Sequence, residues 1–184
     1  MKTRKYLTSI LSHLDDHRLI LLIGARQVGK TTLMRLVEQH CIDKNFETAF
    51  LSLDDPNILY ALNQHPSELL KLVQTPLGKK CFVFIDEVQY LRDPSGFLKY
   101  HVDLSPDIKL IVSGSSAFYI DTRFHDSLAG RKWVHEIFPL DFIEWLDFIG
   151  HPEMIPVLPE VLKNRDHHKA PLLTNYLDTY ILYG

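Results

Sequence analysis

Apolar positions along the chain change their period several times, and each change marks an element. Tyr6, Leu7, Ile10, Leu11 and Leu14 fall on one face of a helix, which predicts a lead-in helix over residues 5–14 that can pack beside the first strand. Arg18 to Ile23 is an apolar run too short for a globular helix and closed by Gly24, the pattern of a strand buried on both faces. Leu33, Met34, Val37 and Cys41 then restore the helical period over 31–41. The order is strand, glycine loop, helix, and it recurs. Strands are predicted over 48–53, 81–85, 108–112 and 133–138, helices over 68–73 and 97–104, and a loop or helix over 117–128. Leu140, Ile143, Trp145 and Leu146 share a helical face that Gly150 can stop. Strands alternating with helices predict an α/β fold, a mainly parallel sheet covered on both sides.

Beyond Gly150 the pattern changes. Pro152, Pro156 and Pro159 stand close together, and a polar stretch from Lys163 to Lys169 follows. This reads as a connector, so the predicted organisation is one domain over 1–150 and a connector with a helix over 151–184. His167 and His168 are adjacent, but no third ligand stands at a useful spacing, so a solvated loop is expected there and no metal ligand is assigned. Leu173, Tyr176, Leu177, Tyr180 and Ile181 form a last helical stripe.

The 184 residues suit one α/β domain with a short appendage. With 46% hydrophobic and 23% charged residues the chain can bury a core and lacks the polar bias of disorder. A net charge of -3 argues against a uniformly basic coat for nucleic acid; a local basic groove would escape that sum, and DNA binding has no support in the sequence. Cys41 and Cys81 lie in apolar surroundings without metal spacing and read as reduced core thiols. No run reaches the ~18 apolar residues of a membrane span, and no signal-peptide apolar region follows the basic amino end, so the expected location is cytoplasmic, with no membrane partner.

The chemistry concentrates in three segments. Gly24-Ala25-Arg26-Gln27-Val28-Gly29-Lys30-Thr31-Thr32 satisfies GxxxxGK[ST] between a strand and a helix. Its glycines let backbone amides and the positive end of the next helix surround a β-phosphate. Lys30 would reach β- and γ-phosphate oxygens, and the Thr31 hydroxyl would bind Mg²⁺. Phe82-Val83-Phe84-Ile85-Asp86-Glu87 is an apolar strand ending in two acids that point in different directions. Asp86 can support Mg²⁺ through water while Glu87 polarises an attacking water. In Ile111-Val112-Ser113-Gly114-Ser115-Ser116 a strand runs into small hydroxyl residues. Ser115 is the first choice for orienting that water, with Ser116 and Ser113 as alternatives. An ordinary Ser-Gly turn would also account for this segment. Arg131, in Leu128-Ala129-Gly130-Arg131, could reach a γ-phosphate in this or a neighbouring subunit, or be a structural arginine. No NKxD segment is present and the third strand ends in Asp86-Glu87-Val88-Gln89 rather than a DxxG switch, so ATP is favoured over GTP.

Gly-Ala-Arg-Gln-Val-Gly-Lys-Thr-Thr-Leu, Phe-Ile-Asp-Glu-Val-Gln, Val-Ser-Gly-Ser-Ser-Ala-Phe, Leu-Ala-Gly-Arg and Phe-Pro-Leu-Asp-Phe-Ile-Glu-Trp occur in that order from about residue 5 to residue 149. In this the chain resembles the prokaryotic AAA-type ATPases of the AAA+ superfamily. The resemblance implies a three-layer P-loop NTPase sandwich, a five-stranded sheet ordered 5-1-4-3-2, and ATP at the carboxyl ends of the strands. By the same likeness Lys30 and Thr31 match the Walker A residues, Asp86 and Glu87 the Walker B pair, Ser115 the sensor position, and Arg131 a Gly-Arg element with a phosphate-sensing or finger role. Relatives continue into a carboxy-terminal domain, often winged-helix or nuclease-like, toward which Tyr180 to Gly184 would lead. The expected activity is Mg²⁺-dependent hydrolysis of ATP to ADP and phosphate, coupled to a conformational change in that domain, in a protein partner or in a homo-oligomer. A nucleotide-gated module with negligible hydrolysis and a small-molecule phosphotransferase are the two alternatives.

Overall fold

The computed structural model describes residues 4–73, 79–115, 128–159 and 170–183. The expectations for Ser116, for residues 117–127 and for His167 and His168 lie outside these. The chain divides into two compact units, Tyr6–Ile137 and a second made of Met1–Lys5 with Phe138–Gly184, so the division falls earlier than the composition change after Gly150.

In the first unit the strands are β1 (Leu19–Gly24), β2 (Glu47–Ser52), β3 (Cys81–Asp86), β4 (Ile108–Ser115) and β5 (Lys132–Glu136). They form one sheet ordered β2-β3-β4-β1-β5, in which every pairing is parallel. Seen from its other edge this is the order 5-1-4-3-2 expected above. All six residues of both β1 and β3 are buried, and this explains their unbroken apolar sequence: a central parallel strand is covered on two faces. β2 lies at an edge and is only half-buried.

The strand period of two sorts the core into two layers. Leu19, Leu21, Ile23, Val83, Ile85, Leu110 and Val112 face Leu62 of α3 (Pro56–Leu62), Leu69 of α4 (Glu68–Val73) and Phe97 and Leu98 of α5 (Pro94–Leu104). Ile20, Leu22, Phe82, Phe84 and Ile111 face the other way. They meet Leu7 and Ile10 of α1 (Tyr6–Leu11) and Leu33, Met34, Val37 and Cys41 of α2 (Lys30–Asp43). Helices on both faces complete the three layers. Both cysteines are buried and neither is in a disulfide, and burial pushes the Cys41 thiol up to about 11.

Helix α3 is absent from the periodicity reading, although its start signal is present. Pro56 takes the first helical position, where it has no amide to leave unbonded, and the Asp55 carboxylate accepts from Asn57 N–H at 2.8 Å. Strand β4 runs to Ser115, past its predicted end at Val112, so Ser113 and Ser115 are strand residues rather than parts of a turn.

In the second unit, α6 (Phe142–Ile149) opens with a capping box. Asp141 Oδ1 accepts from Glu144 N–H at 2.8 Å and Glu144 Oε2 accepts from Asp141 N–H at 3.2 Å. It closes at Gly150, whose φ of 93° lets His151 N–H reach Leu146 O at 2.9 Å. Trp145, Leu146, Met154 and Leu173, the last on α7 (Ala170–Tyr183), make a separate small core, and Tyr180 OH donates to Leu140 O at 2.7 Å. Among the described residues no helix is long and apolar enough to cross a membrane.

Candidate functional site

The carboxyl ends of β1, β3 and β4 lie side by side, and they carry the three segments singled out above. Gly24 ends β1. A Cβ built there would stand 2.3 Å from the backbone oxygen of Ile137, so the loop begins at a point where only glycine fits beside the chain leaving β5. Ile137 N–H donates to Ile23 O at 2.7 Å and fixes that approach. Gln27 and Gly29 both have positive φ, 64° and 88°, and Val28 between them is buried. This backbone turns the loop into the start of α2, where Gly29 is the cap and no side chain occupies the cap position. Amides at such a turn and at a helix start are the donors that an anion binds. Ala25, Arg26, Gln27 and Thr32 are exposed around it.

Lys30 is buried at the first turn of α2. Its ammonium donates to Gly24 O at 3.1 Å and Ala25 O at 2.8 Å, so the lysine arches back over its own loop. The next residue, Thr31, donates from Oγ1 to Asp86 Oδ2 at 2.7 Å. The other oxygen of Asp86 accepts from the Ser113 hydroxyl, and Asp86 is buried. Ser113 Oγ in turn accepts from Glu87 N–H at 2.9 Å. Glu87 adopts φ 61°, ψ 47°, a left-handed conformation uncommon outside glycine, which separates its direction from that of Asp86. The two adjacent acids thus diverge, as the sequence suggested.

Ser115 pairs in register with Gly24, which puts it at the mouth of the loop. Its N–H donates to Gln89 Oε1 at 3.3 Å, and Gln89 Nε2 donates to Glu87 Oε2. Ser113, the alternative to Ser115, bonds to both acidic residues: the two serines share one face of β4, but Ser113 lies further inside the strand and is buried, while Ser115 ends it at the rim. Gln89 was not among the sequence candidates. Its position two residues after Glu87 was the available signal, because the tight turn over Val88–Tyr90 brings the side chain back to the carboxylate.

Arg131 does not join this cluster. It precedes β5, where its carbonyl accepts from Leu19 N–H at 3.0 Å, so it lies at the amino-terminal edge of the sheet. The length of β1, about 15–20 Å, separates it from its own P-loop. There Nε is 2.7 Å and Nη2 3.2 Å from the two oxygens of Asp103, and the pair holds the Asp103 carboxyl below its ordinary range and the guanidinium above.

A strand–P-loop–helix unit, one strand removed from a strand that ends in an acid pair, in an all-parallel 5-1-4-3-2 sheet, defines a P-loop NTPase fold. The sequence matches the AAA domain family over residues 16–146, and the chain belongs to that family. Among curated proteins it is 31% identical over 159 residues to the uncharacterized protein MJ1637 of Methanocaldococcus jannaschii, covering 83% of this chain and 32% of that protein. It is 25% identical over 172 residues to MJ1544 of the same organism, covering 93% and 36%. The chain therefore spans about a third of the length of these relatives. Among solved structures, a DNA replication initiation factor superposes with a TM-score of 0.54 at 17% identity, covering 79% of this chain and 47% of that one. RIF2 of Saccharomyces cerevisiae gives 0.53 at 12%, covering 79% and 59%, and a chain of Drosophila ORC bound to DNA gives 0.50 at 15%, covering 73% and 88%. At these identities the likeness is one of fold.

Proposed function

We propose that this domain binds ATP with Mg²⁺ and hydrolyses it to ADP and phosphate, and that the change of nucleotide state moves an attached domain or partner. The observation that carries the reading is the Thr31–Asp86 hydrogen bond at 2.7 Å, which places a hydroxyl and a carboxylate together beneath a phosphate-binding loop, with a second carboxylate next in the chain. Hydroxyl and carboxylate oxygens are hard donors that suit Mg²⁺. Among the described residues no cluster of three or more His, Cys, Asp or Glu could hold a metal, so phosphate and water would supply its other ligands. Mg²⁺ bound there would neutralise charge between the β- and γ-phosphates.

In this scheme the amides from Gly24 to Thr32 hold the phosphates, and Lys30 exchanges the carbonyls of Gly24 and Ala25 for phosphate oxygens. Glu87 accepts a proton from the attacking water, and Ser115 orients that water at the mouth of the loop. Ser113 holds Asp86 and the Glu87 backbone in place. Arg131 serves from its distant edge as a finger toward a neighbouring chain. Residues 1–150 carry the nucleotide chemistry in this scheme, and residues 151–184 transmit it.

The test is a pair of measurements on Glu87→Gln. This variant should bind MgATP like the wild type and release phosphate at least about 100-fold more slowly in a single turnover. Wild-type protein that keeps bound ATP intact for hours would leave a nucleotide-gated module, and γ-phosphate arriving on an acceptor other than water would make the domain a phosphotransferase.

A further inference from the structure

Gln89 links the Glu87 carboxylate to the backbone of Ser115 at the end of β4. Its Nε2 donates to Glu87 Oε2, and its Oε1 accepts from Ser115 N–H at 3.3 Å. Only the NH₂ group can donate to a carboxylate and only the amide oxygen can accept from a backbone N–H, so the two contacts together set which way round the carboxamide sits. Its base is firm. Tyr90 N–H donates to Glu87 O at 3.1 Å, Leu91 N–H to Val88 O at 3.2 Å, and Val88 is fully buried against the sheet. The far anchor is equally defined, since Ser115 ends β4 and pairs with Gly24, the residue that opens the P-loop. A glutamate side chain has three torsions, and the left-handed backbone of Glu87 alone does not choose among their rotamers.

We propose that Gln89 is a positioning residue for ATP hydrolysis. Its carboxamide fastens the Glu87 carboxylate by one oxygen to the end of β4, beside the phosphate loop, and leaves the other oxygen to take the proton of the attacking water. The proposal rests on the role given to Glu87 above. It adds that the link to Ser115 makes Glu87 follow the end of β4, so a γ-phosphate that moves this strand end also moves the base.

The test compares wild type, Gln89→Ala and Gln89→Glu by MgATP dissociation constant and by kcat, and follows the Ser115 backbone amide resonance without nucleotide. Both variants should bind MgATP within about twofold of wild type and lose at least about tenfold in kcat. Glu has the shape of Gln but sets a carboxylate against a carboxylate, so it should not rescue, whereas a space-filling role would be preserved by it. The Ser115 resonance should shift in Gln89→Ala. Wild-type kcat in either variant, a parallel loss of binding, or an unmoved Ser115 resonance would overturn the role. A wild type that releases no phosphate overturns the hydrolytic reading and this role with it, whereas a hydrolysing wild type beside an equally active Gln89→Ala overturns this role alone.

Discussion

Two lysines at opposite edges of the same sheet show how differently one residue type is used. At the carboxyl edge, Lys30 donates to two carbonyls of the loop it belongs to, which the proposed function has it exchange for phosphate oxygens. At the amino edge, Lys109 enters β4 and is 1% exposed. Its ammonium donates to His13 O at 2.7 Å and to Asp16 O and Arg18 O at 2.5 Å each. All three donors are used, on the segment that joins α1 to β1. Burial lowers the Lys109 amine to about 8, with Asp16 opposing that trend. The first lysine bonds within its own loop, and the second ties a strand to a distant segment. In a doubly wound sheet ligands bind at the carboxyl edge, and the other edge is free to be scaffold.

The largest expected effect comes from breaking the scaffold side. Lys109→Met fills the volume but removes three hydrogen bonds from a buried ammonium to the carbonyls of His13, Asp16 and Arg18, and should lower stability by about 3 kcal/mol, or about 10 °C in Tm. Lys30→Met should leave Tm within a few degrees of wild type. Equal losses from the two would erase the distinction.

A pH titration sharpens the same contrast. His101, at the amino-edge end of α5, is 1% exposed; Nε2 donates to Pro66 O at 2.9 Å and Nδ1 accepts from Ser105 Oγ at 3.1 Å. Burial lowers it from 6.5 to about 4, against the pull of the Pro66 carbonyl. Between those values the unfolded chain holds a proton that the folded chain does not. The stabilisation is complete above pH 6.5 and is lost as pH falls toward 4, up to about 3 kcal/mol. Urea midpoints measured across this range should show the slope, and His101→Gln should flatten it.

At the carboxyl edge, Gly24→Ala meets the Ile137 oxygen and should cost about 2 kcal/mol while weakening nucleotide binding, a combination no amino-edge variant should show. The smallest effect belongs to the half-exposed Arg131–Asp103 pair. Arg131→Ala should leave the urea midpoint nearly unchanged. Any loss of turnover in this variant would then report on a neighbouring chain.

What could be read from the sequence follows the same division. The P-loop and the Asp86-Glu87 strand end are local patterns, since phosphate binding needs its glycines, lysine and threonine at fixed spacing, and the strand order followed from the resemblance those motifs carry. The role of Lys109 was not legible, because a lysine in an apolar strand is explained only by carbonyls of residues 13, 16 and 18, brought to it by the fold. The choice between Ser113 and Ser115 depended on where β4 ends, and strand ends are set by pairing, here with Gly24. Arg131 was singled out because its neighbours in sequence match a motif, and only the register of β5 shows that it lies at the edge away from its own P-loop.

In the proposed function the loop from Gly24 to Thr32 grips the phosphates of a nucleotide, and Lys30 is released from its own carbonyls to do so. Calorimetric titration of MgATP into wild type and Lys30→Ala tests it most directly. Saturable one-to-one binding by the wild type is expected, with a loss of at least about tenfold in affinity in the variant from the charge-assisted hydrogen bonds removed. Equal affinity in the two proteins, or no heat of binding in either, would contradict it.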